Sequence, residues 1–127
     1  MSLSISEHIR KRLSECPELT PKVGNRMFPI AVNAETRFPF IVYERIAVIP
    51  NSTKDGDDGD TVTENVYVFS ESYSESVQIA EIVRKALDHS KGDYGNYEID
   101  ECIMTAADEA HDENIYMQQL VFTIQTI

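Results

Sequence analysis

The densest group of side chains that could do chemistry is Asp55-Gly-Asp-Asp-Gly-Asp60. Clustered carboxylates attract hard cations, and a calcium loop would place an oxygen ligand at its fifth position and glycine at its sixth. Counted from Asp55, those positions hold Gly59 and Asp60, the reverse of that order. The run reads instead as a solvated tip between two strands, and neither a metal nor another cofactor is expected. His8, His89 and His111 have no ligand-like spacing, and His111 lies in the polar run Asp108-Glu-Ala-His-Asp-Glu113. Cys16 and Cys102 lack the flanking residues of a nucleophile and read as small core residues. The serines from Ser70 to Ser76 fit helix capping and form no nucleophile elbow. No glycine pattern would cradle a phosphate. Nothing in the chain assembles the acid, base and nucleophile of an active site, so no enzyme is expected.

The elements that would position these residues follow from composition and periodicity. A chain of 127 residues is expected to be one domain, 1–127, with a core of its own. Its net charge of -11 argues against specific nucleic-acid binding, which needs a basic face. No apolar run approaches the roughly 20 residues of a membrane span, so no membrane partner is expected. With no signal-peptide pattern, the two cysteines are expected as free thiols in a reducing cytoplasm. The charge is also uneven. No Lys or Arg follows Lys91, whereas Asp93, Glu98, Asp100, Glu101, Asp108, Glu109, Asp112 and Glu113 do. Positive charge gathers early, at Arg10, Lys11 and Arg12. This asymmetry fits a solvated surface, or a head-to-tail contact in which one copy's acidic edge meets another's basic helix.

Ser4-Ile-Ser-Glu7 spells a capping box, and Ile5, Ile9 and Leu13 recur on one helical face until Pro17. Residues 21–24 read as a turn and Arg26–Ile30 as an edge strand holding Pro29. Phe40–Ile49 is the strongest strand, rich in β-branched and aromatic residues, with Pro50 as its stop. Residues 50–60 form the acidic loop, and Thr61–Ser70 returns to complete a long hairpin. A second capping box, Ser72 to Glu75, opens a helix with a wide apolar stripe through Leu87. Tyr97–Thr105 follows as a strand, 106–113 as an acidic connector, and Ile115–Ile127 as the last strand. The expected fold is α+β in two layers: a mainly antiparallel sheet with a long β-hairpin and two packed helices.

One pattern conflicts with a self-sufficient domain. A sheet with one solvated face should alternate apolar and polar residues. Here Phe40, Val42, Ile46 and Val48 on one side oppose Ile41, Tyr43, Ala47 and Ile49 on the other. In the last strand Ile115, Met117 and Val121 oppose Tyr116, Leu120, Phe122 and Ile124. Two helices cannot cover both faces, and an uncovered apolar face marks a subunit contact unless the sheet bends over itself. The candidate interface residues are Ile41, Tyr43, Ile49, Tyr116 and Phe122, with Arg10, Lys11 and Arg12.

The order of words in the chain adds to this. A first helix leads into Gly24-Asn-Arg-Met-Phe-Pro29, then Phe38-Pro-Phe-Ile-Val-Tyr43, then Val66-Tyr-Val-Phe-Ser70, then Ser72-Tyr-Ser-Glu75 and the helix ending Ala86-Leu87. Over about residues 3–88 this resembles the tail-completion, or tail-terminator, family of long-tailed phages and prophages. The resemblance implies a structural virion subunit that assembles as a ring, typically a hexamer. Such a ring ends tail-tube growth and joins tail to head. Self, tail-tube and head-neck proteins are the implied partners, with assembly in the host cytoplasm and residence in the virion tail. In such a ring Asp55, Asp57, Asp58 and Asp60 could face the lumen and repel passing DNA. The alternatives are a head-tail connector or minor tail protein, or a non-viral α+β domain that binds a small molecule or peptide. A metal-dependent hydrolase using the acidic loop is a further one.

Overall fold

The computed structural model describes residues 2–53 and 56–127; of 2, 52, 53 and 56–58 it describes the backbone alone. The order is a 3-10 turn (Ser2–Ser4), α1 (Ser6–Ser14), α2 (Thr20–Val23), β1 (Met27–Pro29), β2 (Phe40–Thr53), β3 (Gly56–Ser70), α3 (Tyr73–Leu87), β4 (Gly92–Asp93), β5 (Glu98–Asp112) and β6 (Ile115–Thr126). All strands join one six-stranded sheet, in the order β1-β2-β3-β6-β5-β4. β1 runs parallel to β2, and every other pairing is antiparallel. Two hairpins, β2–β3 and β5–β6, thus lie side by side, sealed by the β3–β6 ladder. This is the α+β architecture expected from the chain, with one more strand and one more helix among the described residues.

Helices α1 and α3 cover one face. In α1, Ile5, Ile9 and Leu13 are fully buried at four-residue spacing. In α3 the buried stripe is Ser76, Ile79, Val83 and Leu87. Beneath them the sheet contributes Ile41, Tyr43, Val62, Val66, Val68, Cys102, Leu120, Phe122 and Ile124 to one continuous core. The second capping box forms in part: Ser72 Oγ accepts from Glu75 N at 3.3 Å. The Glu75 carboxylate is turned to Ser70, whose hydroxyl donates to it at 2.7 Å. At the other end of α3, Asp88 Oδ1 accepts from Met104 N at 3.0 Å, which ties the helix end to β5.

Several expected boundaries move. The first capping box does not form: Ser4 belongs to the 3-10 turn, Ile5 is the N-cap without a side-chain cap, and Glu7 accepts from the Tyr97 hydroxyl at 3.1 Å. The turn at 21–24 is a short helix with Pro21 in its first turn, a position where proline's missing N–H costs nothing. Pro50 does not stop β2. β1 pairs only with Ile41–Tyr43, so beyond them β2 is an edge strand among the described residues. A residue without an N–H is tolerated there. The segment expected as a loop at 50–60 is strand as far as Thr53 and again from Gly56. The acidic run 106–113 is strand through Asp112, paired to β6 along one edge and exposed. Its backbone is held by that ladder, so its side chains need not be apolar.

Candidate interaction surface

Register shows which side chains share a face. Ile41↔Val68, Tyr43↔Val66 and Arg45↔Glu64 lie on the helix side of β2 and β3. A bulge between Arg45 and Ala47 then inserts one residue, so Val48↔Val62 continues the helix side. Past the bulge the strand has therefore turned over relative to simple alternation. Val48 packs against the core, whereas Ile46 and Ile49 are 52% and 60% exposed. The last strand keeps its expected faces, with Leu120, Phe122 and Ile124 inward and Met117 and Val121 outward.

Among the described residues no helix covers the opposite face, and it carries an apolar groove of about 620 Å³. Phe40, Val42, Phe69 and Met117 form its floor, the segment 30–38 one wall and Ala110 to Ile115 the other. The floor is an aromatic stack: Phe40 lies 5.1 Å from Phe69 and 5.0 Å from Phe38, centroid to centroid. Such pairs stabilise beyond area alone. Polar groups stand at its margins. Glu44 Oε1 accepts from the Tyr67 hydroxyl at 2.7 Å, and Asp112 is exposed on the far wall. Ile30, on the near wall, is 74% exposed with φ +68°. A β-branched residue in the left-handed region is strained. It is held there by its own N–H, which donates to Tyr43 O at 2.8 Å.

The expected interface residues divide. Ile41, Tyr43 and Phe122 are 0%, 5% and 0% exposed beneath the helices, so within a folded subunit they offer no contact surface. The two-sided apolar pattern is real, but its exposed half is the groove side. Ile49 is exposed on that side. Tyr116 is half-buried on the helix side, its ring 5.7 Å from Tyr73 and 4.7 Å from His111. Lys11 and Arg12 are exposed on α1 and Arg10 is half-buried there. Arg10 donates to Met27 O at 2.7 Å and Arg12 to Ala86 O at 3.0 Å, contacts within the subunit. The Asp60 N–H donates to Thr126 Oγ1 at 2.9 Å. Asp55 lies outside the described residues, as do the side chains of Asp57 and Asp58.

Two buried titratable groups were not evident from sequence. His8 is fully buried between Tyr94 and Ser90. Ser90 Oγ gives its hydrogen to Leu87 O at 2.6 Å, so it must accept from His8 Nε2–H. Nδ1 then accepts from the Tyr94 hydroxyl at 2.6 Å. Burial first, then the charges of Arg12 and Lys11, lower the His8 pKa to about 4 and keep the ring neutral. Glu64 is also fully buried, on the helix side of β3. Ser6 Oγ donates to its Oε1 at 3.1 Å, and Oε2 has no partner. Burial raises its pKa to about 7, against the opposing effects of Ser6 and Arg45. The local spacing of Ser6 and His8 in α1 could not disclose these long-range partners. Cys102 is buried and its thiol is pushed up to about 11 by that burial. Among the described residues no group of three or more His, Cys, Asp or Glu could hold a metal ion.

The fold is therefore a sheet with helices on one face and an apolar groove on the other. The chain matches the family model "Tail completion protein gp17" over residues 7–127 and belongs to that family of structural phage tail proteins. No curated protein matches it. Its fold is similar to that of a chain in a solved structure titled "Virion of native gene transfer agent (GTA) particle". The TM-score is 0.83 and the identity 16%, over 93% of this chain and 90% of the other.

Proposed function

We propose that this chain is a tail terminator: copies close into a ring, a hexamer, that ends tail-tube growth and joins the tail to the head. The observation that carries this reading is the apolar groove on the helix-free sheet face, in a member of a tail-completion family. An exposed apolar surface of this kind is retained where a partner covers it. The partners are then further copies of the chain, the tail tube and head-neck proteins, met in the host cytoplasm and kept in the virion tail. Such a role requires complementary surfaces and no bond-making chemistry. The hairpin-tip aspartates Asp55, Asp57, Asp58 and Asp60 are assigned to the lumen, where like charge keeps DNA from sticking. Replacing them with asparagine should slow DNA passage and leave assembly intact; loss of assembly would place them in a contact instead.

The test of the main reading is tube growth in vitro. Added at one ring per tube end, the chain should halt elongation of the cognate tube protein, and negative-stain images should show a ring at the end. Tubes that lengthen unchanged overturn the reading. Binding to head-neck proteins alone would mark a connector.

A further inference from the structure

We infer that the sheet continues from copy to copy, the free edge of β5 pairing antiparallel with the free edge of β2 in a second copy of this chain. This rests on the ring reading above and names its subunit contact. An unpaired strand edge is a template for another strand. Hydrogen bonds at the two sides of the sheet show which backbone groups point outward. In β5, Cys102 O accepts from His89 N at 2.6 Å and the Met104 N–H donates to Asp88 Oδ1 at 3.0 Å. Every second residue of a strand points the same way, and the bulge at Met104/Ala106 shifts the row by one. The next outward residues are therefore Ala107, Glu109 and His111. In β2, the Ile41 N–H donates to Arg26 O at 3.0 Å and Tyr43 O accepts from Ile30 N at 2.8 Å. That row continues as Arg45 and, past the bulge at Arg45/Ala47, Val48 and Pro50. Among the described residues neither row has a backbone partner, because β4 reaches only to Ile99 and β1 only to Tyr43. The outer edge of β1 is closed: Met27 O accepts from Arg10, and Pro29 lacks an N–H while its O accepts from Ala31 N.

Charge, direction and level select the occupant. Asp108, Glu109 and Asp112 are exposed along β5, and no Lys or Arg follows Lys91, so two β5 edges repel each other. The β2 row carries Arg45, exposed and without a carboxylate ion pair among the described residues. By register Arg45 lies on the helix side with Glu64, and Glu109 lies on the helix side with Gln118 and Tyr73. With Glu109 opposite Val48, His111 meets Arg45 and Ala107 meets Pro50. Glu109 then stands diagonal to Arg45 on one face, within reach of a long side chain. β5 runs antiparallel to β2 within the sheet, so copies that point the same way around a ring present these edges antiparallel. Val48 is level with Cys102 through Val62 and Ile124, whereas Glu109 opposes Gln118, six residues along β6 from Ile124. Each copy is thus offset by about 20 Å along the strands for about 19 Å across four of them. That ratio tilts the strands by roughly 45° from the ring axis, at the upper end of the tilt found in closed sheets. A heterologous contact of this kind closes into a ring without axial rise.

The experiment uses two full-length variants. Ala107→Pro removes an outward N–H and leaves the β5–β6 ladder intact. Ile49→Cys together with Asp108→Cys places two thiols directly opposite each other across the contact, with wild type and its Cys16 and Cys102 as the control. Light scattering should show a ring for wild type and a monomer for Ala107→Pro, whose thermal melt stays within a few degrees of wild type. Mild oxidation should join the double variant into reducible covalent multimers on denaturing gels and leave wild type as single chains. A ring from folded Ala107→Pro, or a double-variant ring that yields no covalent multimers, overturns the contact while leaving the ring reading standing. Where the proline variant does not fold, the cross-link alone decides. A wild-type chain that remains monomeric and does not cap tubes overturns both.

Discussion

The two faces of the sheet are built from the same strands yet end in opposite conditions. Beneath α1 and α3, Phe122, Ile124, Ile41 and Val66 are fully sealed. On the other side, Phe69 and Met117 are only half-buried along a groove, although Phe40 and Val42 on its floor are each 6% exposed. The helix face is thus sealed within the chain, whereas the groove face is only partly covered. The difference also shows in small features. The helix face holds buried polar groups in the His8 network, whereas the groove face holds a strained Ile30.

The largest expected effect breaks the helix face. Phe122→Ala should cost about 3–5 kcal/mol in urea unfolding, since a large sealed side chain leaves a cavity. Met117→Ala on the groove face should cost about 1 kcal/mol, because the site is already partly open to water. Equal costs would mean the faces are not divided in this way. Next is Gly59→Ala. Gly59 has φ +83°, and a Cβ there would lie 2.0 Å from Thr126 O. The end of β6 must move away from β3 to admit it, at roughly 2 kcal/mol or more, read as a lowered Tm.

Glu64→Gln probes the helix face through pH. The folded-state pKa of Glu64 is raised from 4.5 to about 7, so its favourable contribution is present below pH 4.5 and is lost as pH rises through 7. At pH 8 the Gln variant should be more stable than wild type by about 2 kcal/mol, with no gain at pH 4. His8 has the opposite sign. Its pKa is lowered from 6.5 to about 4, so its contribution is present above pH 6.5 and declines as pH falls toward 4. With Glu64 removed, stability between pH 4 and 6.5 should therefore rise with pH. A flat profile in urea titrations would mean His8 is not held neutral.

The smallest effect belongs to the groove face. Ile30→Gly should raise stability by about 0.5–1 kcal/mol by releasing left-handed strain, offset by added backbone freedom in the unfolded chain. Assembly should weaken at the same time, as one groove wall loses its side chain.

Much of this division was legible in the sequence. The stripes Ile5-Ile9-Leu13 and Ile79-Val83-Leu87 marked the helices, and the two-sided apolar strands marked a sheet with apolar side chains on both faces. Which of those faces the helices cover was not legible. Alternation put Val48 with Phe40 and Val42, and only the bulge, set by β2–β3 register, reverses that. Ile41, Tyr43 and Phe122 were chosen as contacts for being apolar, but helix packing decided the face. β5 was cut short at Thr105 because its later residues are charged; pairing to β6 holds them extended all the same. Glu64 and His8 depend on partners 58 and 86 residues away in sequence, beyond any local pattern.

The division between faces is tested most directly by amide hydrogen exchange on the assembled and monomeric chain. Assembly should add protection at 38–44, 67–69 and 110–117, which line the groove, and leave the outer surfaces of α1 and α3 unchanged. Protection gained on those helices, with the groove exchanging as in the monomer, would contradict it.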